Sequence, residues 1–349
     1  MRFALLNGQL SFLKLCLFHL VVSVLAVSTD SVLAVDGRIA FTSYRDNGKS
    51  KIYIMDSDGG RRFELAEGYQ PAWLPDGEKI GFHYRNDVWV INANGTNRVN
   101  ITKGINSHSK QCPSWSPNGR KIAYVEHDGQ DWDIYVMDSD GTDPRNISRD
   151  KRQNWKPSWS PYGNRISFGT WMNPWGADRL ESDIFVMNAD GADLINLTKN
   201  PRANNSSPSW SPDGKKIAYR ASPKPFLWLP PYNIYLMNAD GTNPTILTKQ
   251  DRWTYEWNPA WSPDSRKLAF VKYTLDGYKD IFTINADGSG LQNITQTDKE
   301  YEGNPVWSPA PLAVSSSERM VTRWGAVKQG EKLLHTSNES DPLPVASGQ

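Results

Sequence analysis

The sequence predicts an all-β chain, a six-bladed β-propeller of four-stranded antiparallel blades, and three observations predict it. Tryptophan followed two residues later by proline recurs at Trp73, Trp115, Trp159, Trp210, Trp261 and Trp307, at intervals of 42, 44, 51, 51 and 46 residues. Each unit carries a tight-turn dipeptide ending in Gly59, Gly95, Gly141, Gly191, Gly241 or Gly288. Between these landmarks run short segments of bulky and β-branched residues such as Ile134-Tyr135-Val136-Met137 and Ile234-Tyr235-Leu236-Met237. Self-similarity at 40 to 50 residues with four strand-length segments per period is the pattern of propeller blades.

The fullest unit gives the elements in order. A first strand lies around Pro208-Ser209-Trp210-Ser211, and Pro212-Asp213-Gly214 turns it into a second, Ile217-Ala218-Tyr219. A loop of variable length leads to a third, Asn233 to Asn238, and Asp240-Gly241 turns it into a fourth ending at Leu247-Thr248. Glycine is required there because tight hairpin turns place a residue at positive φ. The first unit starts at Gly37-Arg38-Ile39-Ala40-Phe41 without its Trp-Ser-Pro strand, and the repeats end with an extra one, Asn304 to Pro309. That last strand is expected to complete blade one and close the ring.

Residues 35–309 are therefore assigned to the propeller. Residues 1–34 read as a signal peptide, because Arg2 and Lys14 precede an apolar run of thirteen residues from Leu15 to Val27 with small residues after it. That run is shorter than the ~20 residues a spanning helix needs, so no transmembrane domain is expected once the signal is cleaved, an uncleaved anchor being the alternative. Cleavage removes Cys16 and leaves Cys112 without an intramolecular partner. Residues 310–349, with Ser315-Ser316-Ser317 and Asp341-Pro342, read as a flexible tail.

Composition narrows the function. Lys and Arg number 39 against 38 Asp and Glu, a balance that argues against a broad basic surface of the kind that displaces counterions from nucleic-acid phosphates. Two cysteines exclude a disulfide scaffold and a Cys-rich zinc module. Fifteen tryptophans must be either packed or displayed.

The run Trp-Ser-Pro-Asp-Gly-x-x-Ile-Ala-Tyr with Ile-Tyr-x-Met-Asn-Ala-Asp-Gly-Thr resembles the TolB-type, WD40-like (PD40) propeller repeat, over about residues 37–309. The resemblance implies a periplasmic or secreted protein acting at the cell envelope. TolB carries an α/β domain ahead of its propeller, and the few residues between signal and first blade leave no room for one here. A stand-alone exported propeller is the expectation, and family fold transfers further than family function.

Strand parity puts the uniform glycine turns on one face, and the loops between second and third strands with the blade connections on the other. Length variation concentrates on that second face, which is where function is expected. It is rich in aromatic residues, and Trp132, Trp155, Trp171, Trp175, Trp228, Trp253, Tyr255 and Trp257 are the candidate ligand-binding residues. Arg149, Lys151, Arg152, Arg179, Arg202 and Arg252 stand among them. Flat apolar rings with a polar edge suit stacking on sugars or gripping peptides. The competing reading for each ring is packing against neighbouring loops. The six repeat tryptophans are assigned to inter-blade packing.

Catalytic chemistry finds little support. Gly-x-Ser-x-Gly is absent, and the chain beyond the repeats is too short to carry a hydrolase triad. His83, His108 and His127 fall at the variable end of blades two and three, the basis for an alternative reading as a metal-assisted carbohydrate lyase or hydrolase. Solvated or hydrogen-bonded loop histidines are the plainer reading, and neither metal nor cofactor is expected. Asp56-Ser57-Asp58-Gly59 and Asp138-Ser139-Asp140-Gly141 resemble the start of a calcium loop but lack its closing Glu, and read as hairpin turns. The Asn-x-Ser/Thr triplets at Asn94, Asn100, Asn146, Asn196, Asn205 and Asn293 mostly follow from the repeat's own ending. The favoured reading is a non-catalytic, monomeric propeller that binds an envelope protein, peptide or glycan through its aromatic face.

Overall fold

The structure, a computed structural model, describes residues 37–45, 49–150, 152–171, 181–199, 203–222, 231–248, 255–273, 277–297 and 300–309. The stretches assigned to the signal peptide and the tail lie outside the described residues. Those described form 24 β-strands and no helix.

The strands follow the repeat. The first unit holds β1 (Arg38–Arg45), β2 (Lys49–Asp56) and β3 (Phe63–Glu67). The second holds β4 (Tyr69–Trp73), β5 (Lys79–Tyr84), β6 (Asp87–Asn92) and β7 (Val99–Asn100). The third holds β8 (Ser109–Trp115), β9 (Lys121–His127), β10 (Trp132–Asp138) and β11 (Arg145–Asn146). The fourth holds β12 (Gln153–Trp159), β13 (Arg165–Trp171), β14 (Ser182–Asn188) and β15 (Ile195–Asn196). The fifth holds β16 (Asn204–Trp210), β17 (Lys216–Ser222), β18 (Asn233–Asn238) and β19 (Thr245–Ile246). The sixth holds β20 (Glu256–Trp261), β21 (Lys267–Tyr273), β22 (Lys279–Asn285) and β23 (Gln292–Asn293), and the last strand is β24 (Tyr301–Trp307). Within a unit, consecutive strands pair antiparallel. β24 does not start a seventh unit; it pairs antiparallel with β1, Ile39 opposite Trp307.

Every Trp-bearing strand is bent in the same way. The residue before its proline (Gln70, Cys112, Lys156, Ser207, Asn258 or Asn304) is left-handed, with φ between 49° and 55°. That residue and the proline together oppose a single residue of the next strand, a β-bulge. The bulge tolerates a proline, which has no N–H for the ladder. An ordinary pre-proline residue is pushed to extended backbone, so a left-handed one at all six positions is a repeated tertiary feature.

The repeat tryptophans pack between units as expected. Trp73, Trp115, Trp159, Trp210 and Trp261 are all buried. Indole N–H groups of Trp159 and Trp261 donate to the carbonyls of Ser114 and Ser209, each one residue before the preceding unit's own tryptophan. Trp73 donates likewise to Val306, on β24. The cores accordingly form between neighbours; one joins Val125 and Ile134 of the third unit to Ile166 and Phe168 of the fourth.

The turns share a face. Backbone N–H groups at Ser139, Ala189, Ala239 and Ala286 donate to the carbonyls of Arg120, Asn164, Lys215 and Arg266, tying each glycine turn to the Trp-Ser-Pro turn of its own unit. The two calcium-like sequences are such turns: Gly59 and Gly141 have φ of 89° and 91° and donate to Asp56 and Asp138. A Cβ on Gly141 would lie 1.9 Å from the Ile101 carbonyl oxygen of the preceding unit, so the glycine also permits close packing.

The fourth strands have only two residues each in units two to six, too few ladder bonds to hold an edge. A side-chain lock supplements them. Asp133, at the start of β10, accepts from Asn146 Nδ2 and Ser148 Oγ, both at 2.7 Å, and Ser148 Oγ accepts from the Ile134 N–H at 3.0 Å. Asp87 with Asn100 and Thr102, Asp183 with Asn196 and Thr198, and Asp280 with Asn293 and Thr295 repeat the arrangement. The Asn-x-Ser/Thr triplets are thus structural at four positions.

Candidate functional site

The end of the molecule opposite the glycine turns is built from the starts of the first and third strands and the ends of the second. On units three and four it presents a row of rings. His127 ends β9, Trp132 begins β10, Trp155 lies on β12 and Trp171 ends β13, with successive centroids 4.7, 4.4 and 6.4 Å apart. Strand register sets this order, because Trp132 faces His127 across one hairpin and Gln153 faces Trp171 across the next. Trp132 and Trp155 are half-buried against the core between the two units. Trp171 is 40% exposed and forms the open end of the row.

A second group surrounds Lys279 on the sixth unit. Its ammonium lies 5.2, 5.3 and 5.5 Å from the ring centroids of Trp257, Tyr273 and Tyr301. Tyr255 touches Trp257 and Tyr273 edge-on, at 6.5 and 5.8 Å. Enclosure by these rings holds the Lys279 pKa below its ordinary value. This cluster is closed on its own cation, a cation–π arrangement internal to the fold.

Of the eight candidate residues, Trp132, Trp155 and Trp171 are therefore brought together, as are Tyr255 and Trp257. Trp175, Trp228 and Trp253 lie outside the described residues. Among the basic residues, Arg152 pairs with Asp150 at 3.3 Å and its guanidinium lies 5.0 Å from the Phe185 ring centroid. Arg149 Nε donates to the Asn146 carbonyl, and the other four lie outside the described residues.

The three histidines do not converge. His83 is buried against Tyr69, ring centroids 4.2 Å apart, and burial lowers its pKa to about 4. His108 meets the buried Glu126 at 3.0 Å. His127 packs against Trp132 with the two ring planes tilted by 51°. Among the described residues no group of three His, Cys, Asp or Glu side chains is placed to hold a metal ion.

Sequence reasoning missed a second feature. The six bulged residues line one cavity of about 170 Å³ between the Trp-bearing strands. Lys156 Nζ donates to Asn304 Oδ1 at 2.5 Å, Asn258 Nδ2 donates to the same oxygen at 3.1 Å, and the Cys112 N–H donates to Gln70 Oε1 at 3.0 Å. Burial pushes the Cys112 thiol up and the Lys156 ammonium down from their ordinary pKa values. The signal was available: a residue followed by proline recurs three positions before each repeat tryptophan, and beside Cys112 the other five are polar.

Unit five departs from the side-chain lock in a compensated way. Asn233 stands where units two, three, four and six have Asp, and Ile246 stands where they have Asn. Thr248 still accepts the Ile234 N–H at 2.9 Å but donates its hydroxyl to the carboxylate of Glu256, on the next unit. Burial raises the Glu256 pKa to about 7, against the lowering effects of Thr248 and of Lys272 at 3.9 Å.

Comparison with known proteins agrees with this architecture. An uncharacterized protein of Agrobacterium fabrum is 26% identical over 205 residues, 55% of this chain and 69% of its own. A TolB homolog of Chlorobium luteolum is 29% identical over 139 residues, 37% of this chain but only 30% of its own length. The crystal structure of TolB from Acinetobacter baumannii superposes with a TM-score of 0.65 at 21% identity, covering 79% of this chain and 67% of that one. The profile described as the TolB beta propeller domain (PD40) matches residues 20–162 and 84–224. On repeat, strand order and profile together, the chain belongs to the TolB beta-propeller family.

Proposed function

We propose that this chain is a non-catalytic binding propeller of the cell envelope, six blades in a ring closed by β24, that docks a protein, peptide or glycan on its aromatic end. The ring reading is supported by the β24–β1 pairing and by the Trp73 bond to Val306, which tie the last strand to the first two units. Export to the periplasm or beyond rests on the charged and apolar start of the sequence and on the TolB relatives. A monomer is the proposed state.

One observation carries the binding role: the row His127–Trp132–Trp155–Trp171. Its inner members are fixed by core packing, so the open face at Trp171 is offered without ordering several side chains first. Rigid aromatic surface of this kind supplies most of the energy at recognition sites. The histidines that would support metal-assisted carbohydrate chemistry lie in three separate settings, so that alternative has no geometric basis among the described residues.

The test is binding of the whole chain to an oligosaccharide array and to immobilised envelope proteins, with Trp171→Ala in parallel. Trp171 is exposed at a strand end, so the variant should fold. A ligand of this face should lose roughly tenfold or more in affinity, the scale of a truncated aromatic anchor. Ligands that bind wild type and both Trp171→Ala and Trp132→Ala equally would refute the assignment.

A further inference from the structure

Among the described residues, the cavity between the six bulged strands is lined by a cation and no anion. Lys156 is the single charged residue among those that line it; the rest are prolines, alanines, serines, amides, a valine and Cys112. The Lys156 ammonium has three N–H donors and one hydrogen bond, to the neutral Asn304 amide. Lysines set into a fold are ordinarily paired with a carboxylate, and Lys156, part-buried in the cavity, faces none among the described residues that line it. The other enclosed lysines follow that rule or substitute for it. Lys272 faces Glu256 at 3.9 Å, Lys110 lies in the field of Glu126 and Asp87, and Lys279 sits among three aromatic rings. For Lys156 the only charge interaction of note is with the Cys112 thiol, itself held protonated by burial.

The surroundings favour an oxygen anion. Two donors, Lys156 Nζ and Asn258 Nδ2, already converge on one oxygen, Asn304 Oδ1, at 2.5 and 3.1 Å. Ser207 adds a hydroxyl from the next strand, and no acidic side chain lines the cavity to repel an incoming charge. A volume of about 170 Å³ admits a small acid but not a sugar chain or a folded partner.

We propose that this cavity is a binding site for a small free carboxylate, held by Lys156 with Asn258 and Ser207. The site is separate from the aromatic end and does not depend on what docks there. Charge-assisted hydrogen bonds are the stronger class, so the bound acid would supply the counter-ion that the fold itself omits.

The experiment uses the whole chain and acetate as the probe, at constant ionic strength set with sodium chloride. Acetate binding is followed by line broadening of [13C]acetate and by the thermal midpoint. Wild type should bind saturably, with a midpoint that rises with acetate. Lys156→Met should lose at least tenfold in affinity. Asn304→Asp places a carboxylate beside the ammonium in nearly the same volume; it should melt higher than wild type without acetate and no longer respond to it. Trp171→Ala should bind acetate as wild type does, which separates this site from the aromatic one. Absence of acetate binding to wild type, or a midpoint that chloride raises equally well, overturns the proposal. Unchanged binding by Asn304→Asp overturns it as well, and that variant decides the matter if Lys156→Met does not fold.

Discussion

Glu256 is a carboxylic acid whose ionisation the fold opposes. It is fully buried, and its pKa is raised from 4.5 to about 7 by burial. The folded protein therefore holds this proton more tightly than the unfolded chain. Its contribution to stability is complete below pH 4.5 and is lost as pH rises through about 7, on the order of 3 kcal/mol in all. His83 acts with the opposite sign. Burial holds it neutral to about pH 4, so its contribution is present above pH 6.5 and is lost as pH falls through 4. The difference between wild type and Glu256→Gln isolates the first effect, since His83 is common to both. Urea unfolding at a series of pH values should show the variant gaining on wild type between pH 4.5 and 7.5. A constant difference across that window would remove Glu256 as the cause.

At the scale of the element, the short fourth strands depend on the Asp lock. Asp133→Ala leaves the Asn146 amide and the Ser148 hydroxyl without their carboxylate, and unpaired groups at a part-buried site cost about 2 to 4 kcal/mol together. Chemical denaturation should register that loss. Unit five supplies the internal control: Asn233→Asp should not stabilise, because the Ile246 side chain has no amide to offer and Thr248 is committed to Glu256. A stabilised Asn233→Asp, or an Asp133→Ala that unfolds like wild type, would show that the two-residue strands hold without the lock. The lock itself was half legible. The Asn-x-Thr endings stood out in the repeat, but their partner lies 13 residues earlier, across a hairpin whose register only the fold provides.

For the whole molecule, the last strand carries the connection between the first and final units. Removing residues 301–309 would expose the edge of β1, strip Trp73 of its carbonyl partner and take Asn304 away from Lys156. An open edge of this kind invites pairing with other chains. The shortened chain should lose the single cooperative transition and elute as higher oligomers in size-exclusion chromatography. A monomeric product with an unchanged urea midpoint would mean that β24 is dispensable and the ring reading is mistaken.

How much could be read in advance differs between the fold and the site. Strand positions, turns, shared faces and the packing role of the repeat tryptophans were legible, because each follows from a pattern repeated in register and from backbone constraints that glycine and proline impose locally. The aromatic row was legible only as a set of candidates. Trp132, Trp155 and Trp171 are 23 and 16 residues apart, and their meeting follows from how β10, β12 and β13 lie across the junction between two units. The histidines show the same limit in reverse: their shared end of the molecule suggested proximity, and packing separated them.

By itself, then, the sequence determined the repeating unit, since periodicity, β-branched alternation and turn chemistry act within a few residues of one another. Tertiary structure alone decided which side chains from different units meet. The meeting of Lys156 with Asn304 across the cavity and the transfer of Thr248 from its own unit to Glu256 each require different units to be in contact. Interactions of that kind are set by the geometry between blades, which no local pattern encodes.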